Sequence, residues 1–340
     1  MKSLVFVDNE DSTDPAENLA LEEYVLRHMD PTCDYLLLYR NEPSIIVGRN
    51  QNVLEEVNDS FVSQRGIPVL RRLSGGGTVY HDPQNLNFSF ITRYESSRLH
   101  NFRYFNEPVV RVLQSLGVPA EMNDRNDILA GGKKISGSAQ FSSRGRMFSH
   151  GTLLFNSKLE DLEEALSVRM KHIRSKSHKS VRSKVANISE FLEHPMEIGE
   201  FRRYLLDGLT SNGVVLQRYR LTETDRKRVS EIRQSRYISW EWNIGRSPKF
   251  RVERTRVING MTVSLDLHVS KGHIEQITVS SEGFSGFARV SRALEGTRYD
   301  RESVQAGLLR FWKQTEGEGE DKFPLSAASL AELVYGEDHE

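Results

Sequence analysis

The pattern of apolar and polar positions divides the chain into two regions of different character. Before about residue 245, short apolar runs typical of buried strands mix with segments of helical spacing, and no regular strand–helix–strand repeat is present. This mixture predicts an α+β fold rather than a doubly wound sheet. The predicted strands cover residues 35–38, 45–47, 86–90 and 153–155, and the predicted helices cover residues 15–29, 108–116, 159–168 and 198–209.

Two of these segments carry further signals. Asp14 can cap the first helix, Pro15 suits its first position, and Glu17 stands where a capping box places a carboxylate. In the segment 86–90, three large apolar residues alternate with Asn87 and Ser89. That alternation predicts a strand with a single buried face.

After the turn formers at residues 245–248, the pattern changes to strict alternation. Asn259-Gly260, the strongest short hairpin signal, precedes an alternating strand. A second turn at residues 270–272 leads into another strand, and two amphipathic helices follow. The resulting predictions are a strand at residues 274–279, helices at residues 287–294 and 303–312, and two domains at residues 1–246 and 255–340.

The composition restricts the class of protein. The 340 residues carry a formal net charge of −1, so the chain as a whole is not a polycation for nucleic acid or membrane surfaces. Apolar runs fall short of the roughly 18–20 residues that cross a bilayer, and the first residues lack the features of a targeting signal. The single cysteine, Cys33, cannot form an internal disulfide or a structural zinc site. We expect a cytoplasmic monomer without nucleic-acid or membrane partners.

The segment RRLSGGGTVYHD (residues 71–82) is the most informative part of the sequence. Its three consecutive glycines expose backbone N–H groups that can approach an anion or a flat ligand closely. Arg71 and Arg72 add fixed positive charge, and His81 with Asp82 favours a ligand loop. The alternative is a hairpin turn with surface arginines. The segment is not a Walker P-loop, because no Gly-Lys-Ser/Thr follows the glycines.

A second segment, residues 131–139, places a lysine pair among small residues. Small neighbours leave space for a ligand beside an ammonium group, which could counter charge on both an acyl carbonyl and an α-phosphate. In a regular strand Lys133 and Lys134 point to opposite faces, so only one can face the site. The alternative is a turn with solvated lysines. Shortly before it, Asn126-Asp127 is either a plain turn or part of a magnesium–phosphate site.

Two further segments are less specific. His150-Gly151-Thr152 presents a histidine that either serves the site or is structural, since no zinc spacing surrounds it. The serine-rich basic run from Arg169 to Lys184 lacks a helical apolar stripe, so it predicts a mobile loop. Such a loop suits closure over a triphosphate. The alternative is a solvated basic face.

Together these segments resemble the lipoate-protein ligase A family of the biotin/lipoate ligase superfamily. The match is carried by RRLSGGGTVYHD, RNDI, KKISGSAQ, HGTLL, SVRSKVANISEFL and SWEWNIG, in the family's order and over nearly the whole chain. The resemblance implies a catalytic domain like those of class II aminoacyl-tRNA synthetases and biotin ligases, followed by a small α+β accessory domain. It also implies two half-reactions. Lipoate and ATP give lipoyl-AMP and pyrophosphate, and the lipoyl group then passes to a lysine of a partner.

The resemblance assigns roles to individual residues. Lys134, not Lys133, matches the family's essential lysine, and Asp127 matches a residue near the Mg²⁺ of the nucleotide. Residues 168–185 match a loop that orders over the adenylate. Thr78 replaces a frequent alanine, which leaves the predicted activity intact. The predicted substrate- and ATP-binding positions are Arg72, Ser74, Gly75, Gly76, Gly77, Thr78, Val79, Tyr80, His81, Asn126, Ser136, Gly137, Ser138, Ala139, His150, Gly151, Thr152 and Arg182.

The same resemblance implies the co-substrates and the acceptors. ATP, Mg²⁺ and lipoate are expected, without a tightly bound organic cofactor. The implied acceptors are lipoyl domains of 2-oxoacid dehydrogenase E2 subunits and the glycine-cleavage H protein. The alternatives are an octanoyl or lipoyl transferase, which among relatives on this fold uses a cysteine as acyl carrier, and a non-catalytic protein that binds acyl-nucleotides or carrier domains. Cys33 lies apart from the lysine segment in sequence, so any transferase here would be cysteine-independent.

Overall fold

The computed structural model describes residues 3–168, 170, 172–211, 213–282, 284–315 and 323–336. The chain forms two compact units. The first unit comprises Met1–Arg49, Ser60–Leu166 and Ser180–Ser239, and the second comprises Asn50–Asp59, Ser167–Lys179 and Trp240–Glu340.

The strands and helices alternate irregularly along the chain, as an α+β fold requires. The strands are β1 (Ser3–Asp8), β2 (Tyr35–Arg40), β3 (Ser44–Val47), β4 (Val69–Arg71), β5 (Val79–His81), β6 (Asn85–Arg93), β7 (Ala120–Met122), β8 (Ile128–Ala130), β9 (Lys133–Ser136), β10 (Ser138–Ser143), β11 (Arg146–Leu154), β12 (Ile173–Ser175), β13 (Val215–Arg220), β14 (Phe250–Ile258), β15 (Met261–Ser270) and β16 (His273–Ser281). The helices are α1 (Pro15–His28), α2 (Asp59–Gln64), α3 (Phe102–Ser115), α4 (Leu159–Ala165), α5 (Ile198–Thr210), α6 (Glu223–Ile232), α7 (Trp240–Asn243), α8 (Phe287–Leu294), α9 (Arg301–Thr315) and α10 (Ala327–Tyr335). Short helical turns occur at Val53–Glu55, Ile188–Phe191 and Arg233–Tyr237.

The first unit is built on a six-stranded mixed sheet in the order β10-β11-β6-β2-β1-β13. The strands β1, β2 and β13 run parallel to one another, and the pairs β2–β6, β6–β11 and β10–β11 are antiparallel. Helices α3 and α5 cover one face and form the main core with its apolar side chains. Helix α1 packs against β2, β6 and β11. Two small three-stranded sheets, β4-β3-β5 and β7-β8-β9, carry the glycine and lysine segments.

The prediction of a single buried face for the strand at residues 86–90 was wrong. Asn87 is 3% exposed and Ser89 is fully buried, so both faces of β6 are covered. Alternation in the sequence reflects the polarity of the two layers, and here the layer beneath α1 is polar although it is buried. This polar layer lies next to the functional residues described below.

Helix ends follow local signals more closely than apolar spacing. Asp14 caps α1 by accepting hydrogen bonds from the N–H groups of Ala16 and Glu17. The Glu17 carboxylate accepts a hydrogen bond from the hydroxyl of Ser12. Helix α3 begins six residues before the predicted start, because Asn101 caps it through the N–H of Tyr104. Pro108 therefore lies inside the helix.

The second unit confirms the hairpin and the two helices predicted after residue 255. Strands β14, β15 and β16 form an antiparallel meander, and β15 alternates buried and partly exposed residues along most of its length. Asn259 and Gly260 have φ values of +51° and +79°, as a tight hairpin turn requires. Helices α8, α9 and α10 contribute apolar side chains to the unit's core. Strand β14 and helix α10 were not identified from the sequence.

The basic run, which was predicted to be a mobile loop, contains a short strand. Ile173–Ser175 forms β12, an edge strand that pairs antiparallel with β14, and Met170 and Ile173 are buried in the core of the second unit. Arg169 and Lys171 lie outside the described residues. Among the described helices, none is long and apolar enough to cross a bilayer.

Candidate active site

The triple-glycine segment forms the loop between β4 and β5, and a buried arginine holds its shape. The Arg72 guanidinium donates hydrogen bonds to the carbonyls of Gly75 (2.7 Å) and Gly77 (2.6 Å). It also donates to the carbonyl of Ile46 (2.8 Å) and to Ser74 Oγ (2.9 Å). Arg72 is 5% exposed, and burial lowers its pKa to about 10, so the side chain is charged at neutral pH. The loop conformation therefore depends on a buried cation.

Two of the three glycines lie in positions with little space for a side chain. Gly76 has a φ of +86°, a left-handed conformation that favours glycine, and a Cβ there would lie 3.1 Å from Arg72 Nη2. A Cβ on Gly77 would lie 3.0 Å from Ser180 Oγ. Gly75 has neither constraint, because nothing lies within 4 Å of its ideal Cβ position.

Beneath the loop, buried polar side chains link Ser74 to helix α1. Ser74 Oγ lies 2.8 Å from His150 Nε2, and His150 Nδ1 lies 2.8 Å from Glu22 Oε1. Glu22 is 2% exposed, and a buried carboxylate requires such partners. Glu22 was missed from the sequence. The available signal was the pair Glu22-Glu23 inside a run of otherwise apolar residues. Both carboxylates are buried in the structure.

His81 is a buried, neutral side chain at the end of β5. Its Nδ1 accepts a hydrogen bond from Asn41 Nδ2 at 2.9 Å, and its Nε2 has no hydrogen-bond partner among the described residues. Burial and the nearby charge of Arg72 lower its pKa to about 3. Asp82 accepts the backbone N–H of Gln84 and of Lys158. In this structure both residues of the His-Asp pair contact groups of the protein interior.

The lysine pair separates as strand alternation predicts. Lys134 Nζ lies 2.8 Å from Asp127 Oδ1, and the Lys134 side chain is 27% exposed. Lys133 Nζ lies 3.9 Å from Glu190 Oε2 and is half exposed. Backbone hydrogen bonds also fix the main chain of Lys134. Its N–H donates to the carbonyl of Lys184, and its carbonyl accepts from the N–H of Ala186.

Lys134 faces a polar cleft of about 330 Å³. Asn123 shapes one wall by accepting the backbone N–H groups of Arg125 and Asp127, and Asn126 adopts a φ of +65° in the turn between them. This turn directs the Asp127 carboxylate at the lysine. The cleft is lined by Asn123, Asp124, Arg125, Asp127, Leu129, Gly132, Lys134, Ser183 and Lys184.

Gly137 leaves space for the side chain of Lys134. A Cβ at this position would lie 3.0 Å from Lys134 Cε and 3.1 Å from Nζ. On its other side, the Gly137 N–H points to Thr152 Oγ1 at 3.4 Å, and its carbonyl accepts from the Thr152 N–H. Ser138 is held by Asn106, a fully buried side chain of α3. The small residues therefore connect the lysine strand to the main sheet.

The predicted segments meet because β10 pairs with β11. Ser138 stands opposite Gly151, and Ala139 stands opposite His150. A Cβ on Gly151 would lie 2.5 Å from the Phe88 ring, so only glycine fits between these strands. The histidine segment thus connects the lysine strand on one side to the glycine-rich loop on the other.

The second half of the basic run contacts both segments. Ser180 Oγ accepts the backbone N–H of Thr78 at 2.9 Å. Four residues later, Lys184 pairs with Lys134 through the backbone, and Ser183 and Lys184 line the cleft. Arg182 lies between these two contacts and is exposed.

Known proteins are similar to this chain in sequence and fold. Residues 14–210 match the lipoyl protein ligase A/B catalytic domain, and residues 247–321 match the bacterial lipoate protein ligase C-terminus. Lipoate-protein ligase LplJ of Bacillus subtilis (strain 168) is 47% identical over 310 residues, which cover 90% of this chain and 93% of that protein. The chain belongs to the lipoate-protein ligase family.

Solved structures agree with this assignment. A crystal structure of lipoate-protein ligase A bound with ATP has a TM-score of 0.61 and 30% identity, covering 72% of this chain and 99% of that one. A bi-partite lipoate protein ligase of Thermoplasma acidophilum, described with its E2 lipoyl domain, has a TM-score of 0.63 and 26% identity, covering 76% of this chain and 100% of that one. Family membership identifies this chain as an ATP-dependent lipoate-protein ligase.

Within this ligase, the predicted site residues fall into two groups. Some are buried inside the protein, namely Arg72, Ser74, Tyr80, His81, His150 and Gly151. Burial raises the pKa of Tyr80 to about 12. Thr78 and Ser136 are also buried. The others are partly or fully exposed, namely Gly75, Gly76, Gly77, Val79, Asn126, Asp127, Lys134, Gly137, Ser138, Ala139, Thr152 and Arg182.

Cys33 does not take part in this arrangement. It is half-buried in the turn before β2, and its carbonyl accepts a hydrogen bond from Arg146 at the start of β11. Its thiol lies beside the Thr32 hydroxyl. Nothing in these contacts favours a thioester-forming transferase for this ligase.

Proposed function

We propose that this ligase activates lipoate at the cleft around Lys134 and transfers it from lipoyl-AMP to a lysine of lipoyl-acceptor domains. The observation that carries the proposal is the Lys134 ammonium. It is fixed on a strand, partly exposed, and paired only with Asp127 among the ion pairs of the described residues. A cation held in this way can counter charge that develops on a phosphate or an acyl carbonyl.

The first half-reaction needs no nucleophile from the enzyme. The lipoate carboxylate attacks the α-phosphate of ATP, and pyrophosphate leaves. Catalysis then consists of holding the two reactants together and stabilising the charge of the transition state. Lys134 serves this step at the phosphate, and the N–H groups of the glycine-rich loop offer further donors for the nucleotide.

Asp127 fits a magnesium ion that arrives with the nucleotide better than a resident metal. Mg²⁺ in such sites keeps several waters and takes one or two carboxylates together with substrate phosphates. Asp127 provides one carboxylate at the cleft, and the described residues contain no group of three His, Cys, Asp or Glu side chains that could hold a metal. When bound, Mg²⁺ would neutralise phosphate charge, and Lys134 would then be released from Asp127.

The second half-reaction transfers the acyl group to an amine. Lys134 can remain on the acyl carbonyl while the acceptor lysine attacks and AMP leaves. We assign lipoyl domains of 2-oxoacid dehydrogenase E2 subunits and the glycine-cleavage H protein as acceptors. Support comes from the archaeal relative that was described with its E2 lipoyl domain. Ser183 and Lys184 form part of the cleft wall, and in this proposal they help to exclude water from the mixed anhydride.

The test is mass spectrometry of an acceptor domain after incubation with the ligase, ATP, Mg²⁺ and one of three acids. Lipoate should add one lipoyl group to one lysine, with one AMP and one pyrophosphate released. Octanoate and biotin serve as comparison substrates, because octanoate has the same eight-carbon chain without the ring and biotin has a different ring. A product that forms without ATP, or only from a preformed acyl thioester, would refute the proposal.

A further inference from the structure

Glu55 is a buried carboxylate that the chemistry described above does not use. It ends the helical turn Val53–Glu55, which Asn52 caps by accepting the N–H of Leu54. Leu54 is buried in the core of the second unit. The turn therefore provides a rigid base for the carboxylate.

Within the described residues, the partners of the Glu55 carboxylate come from residues 175–179 of the basic run. Its Oε2 accepts hydrogen bonds from the hydroxyls of Ser175 and Ser177, the latter at 2.8 Å. Its Oε1 lies 3.5 Å from Lys179 Nζ and makes no hydrogen bond among the described residues. The Glu55 side chain is only 4% exposed, whereas that of Lys179 is 68% exposed.

The spacing of these partners shows how one carboxylate can fix a whole segment. Ser175, Ser177 and Lys179 occupy every second position, and their side chains converge on the single carboxylate of Glu55. Gln51 adds a bond from the same base, because its Nε2 donates to the carbonyl of His178 at 3.1 Å. A buried carboxylate loses much free energy without its partners, so the segment is held against it.

The residues that follow this segment form the cleft. Ser180 comes directly after Lys179 and binds the Thr78 N–H, and Ser183 and Lys184 line the cleft beside Lys134. Movement of residues 175–179 would therefore be transmitted along the chain to the cleft wall within a few residues.

We propose that Glu55 is a positioning residue of this ligase, which fixes Ser175–Lys179 so that residues 180–184 close the Lys134 cleft against water. Glu55 touches no reacting atom. The role of the closed wall in protecting lipoyl-AMP rests on the proposed function, whereas the fixing of the run does not.

The first test is limited trypsin digestion of the full chain, which measures the run directly. The basic residues Lys176, Lys179 and Arg182 are cleavage sites within it. Glu55→Gln keeps the shape of the side chain but removes its charge, and we expect cleavage in the run to become at least about fivefold faster. Glu253→Gln is the matched control, because Glu253 pairs with Arg174 of the same run at 3.9 Å but both side chains are exposed. That control should digest like the unaltered chain.

The second test measures coupling, as AMP released per acceptor lysine modified. The unaltered ligase should stay close to one, and Glu55→Gln should release about two to three times more AMP per product, because the adenylate reaches water. Ser177→Ala removes one of the two hydroxyl donors and should give an intermediate effect on digestion and coupling without unfolding the chain.

The outcomes separate the two ideas. An active enzyme whose Glu55→Gln variant matches Glu253→Gln in both digestion and coupling overturns the role of Glu55. Faster digestion with normal coupling would show that the run is fixed by Glu55 but does not protect the adenylate, which also overturns the proposal. An unaltered chain that releases no AMP with lipoate contradicts the proposed function, and the digestion result then stands separately.

Discussion

The two cations of the site, Arg72 and Lys134, are used in opposite ways. Arg72 is 5% exposed and gives four hydrogen bonds to groups of the protein, two of them to carbonyls of the glycine loop. Lys134 is 27% exposed and, within the described part of the chain, forms an ion pair with Asp127 alone. The first cation builds the loop, and the second is available to a ligand.

The difference follows from the cost of moving each side chain. Releasing Arg72 would leave several buried carbonyls without a donor and a charge without compensation. Releasing Lys134 breaks one partly exposed pair, which is worth at most about 1 kcal/mol. A phosphate or a metal ion can therefore displace Asp127 from Lys134, whereas no ligand can readily draw Arg72 from the loop.

Replacement of Lys134 should have the largest effect on activity and the smallest on stability. Lys134→Ala should reduce lipoate-dependent pyrophosphate exchange and transfer from preformed lipoyl-AMP by at least about 10²-fold each, since a charge-stabilising group is lost in both steps. The free energy of unfolding should stay within about 1 kcal/mol of that of the original chain.

Lys133→Ala is the matched control for this experiment. Its ammonium lies 3.9 Å from exposed Glu190 and away from Asp127, so both half-reactions should be nearly unchanged. Equal losses in the two variants would mean that the adjacent residue had been misassigned, and near-normal rates for Lys134→Ala would remove the basis of the proposed mechanism.

Replacement of Arg72 should reverse this pattern. Arg72→Lys keeps the charge but cannot reach the carbonyls of Gly75 and Gly77 together, so we expect a loss of about 3 kcal/mol in the free energy of unfolding, measured with urea. Adenylation should fall with it as the loop loses its shape. Arg226→Lys, at an exposed pair with Glu10, is the control and should be nearly neutral. If Arg72→Lys instead retained full stability and lost only activity, Arg72 would act on the substrate and the contrast with Lys134 would disappear.

The substitution Gly137→Ala should displace the Lys134 ammonium without removing it. The new Cβ would lie 3.0 Å from Lys134 Cε, so the lysine must move by a few tenths of an ångström or more. We expect Gly137→Ala to lower kcat by about 10-fold, because misplacement of a catalytic group by such distances is costly. Gly199→Ala on α5 is the control, since nothing lies within 4 Å of its Cβ position. An unchanged kcat would show that Lys134 finds its working position by another route.

The sequence predicted the available cation better than the buried one. Strand alternation separated Lys134 from Lys133, and turn chemistry located the hairpin at Asn259-Gly260, because both depend on local geometry. The fate of Arg72 depends on the fold. Whether an arginine points to solvent or to the carbonyls of its own loop is decided by strands that lie far away in sequence.

Buried polar groups account for most of what was missed. Glu22 lies in the layer between α1 and β11, and Glu55 holds a segment more than one hundred residues away. A carboxylate in a helix or turn is normally a surface residue, so local patterns assign it to solvent. The partners that make its burial tolerable become visible only in the folded chain.

His81 offers the smallest and most selective test of the region around the buried cation. Its pKa is about 3 in the folded protein, and a free histidine has a pKa of 6.5. Between these values the unfolded chain binds more protons, so stability that is present above pH 6.5 is lost as the pH falls. The expected loss is about 1.4 kcal/mol per pH unit below 6.5, or about 2 kcal/mol at pH 5. His81→Gln should lack this contribution.

The measurement is the difference in unfolding free energy between the original chain and His81→Gln from pH 7.5 to pH 5. Carboxylates titrate in both proteins and cancel in that difference, so it reports His81 alone. The difference should be constant above pH 7 and shift in favour of the variant below pH 6.5. Parallel curves would mean that His81 can be protonated in the folded state, which requires space or a partner for a second positive charge beside Arg72. The glycine-rich loop would then be less tightly enclosed than its hydrogen bonds indicate. The distinction between the structural role of Arg72 and the ligand-binding role of Lys134 would weaken.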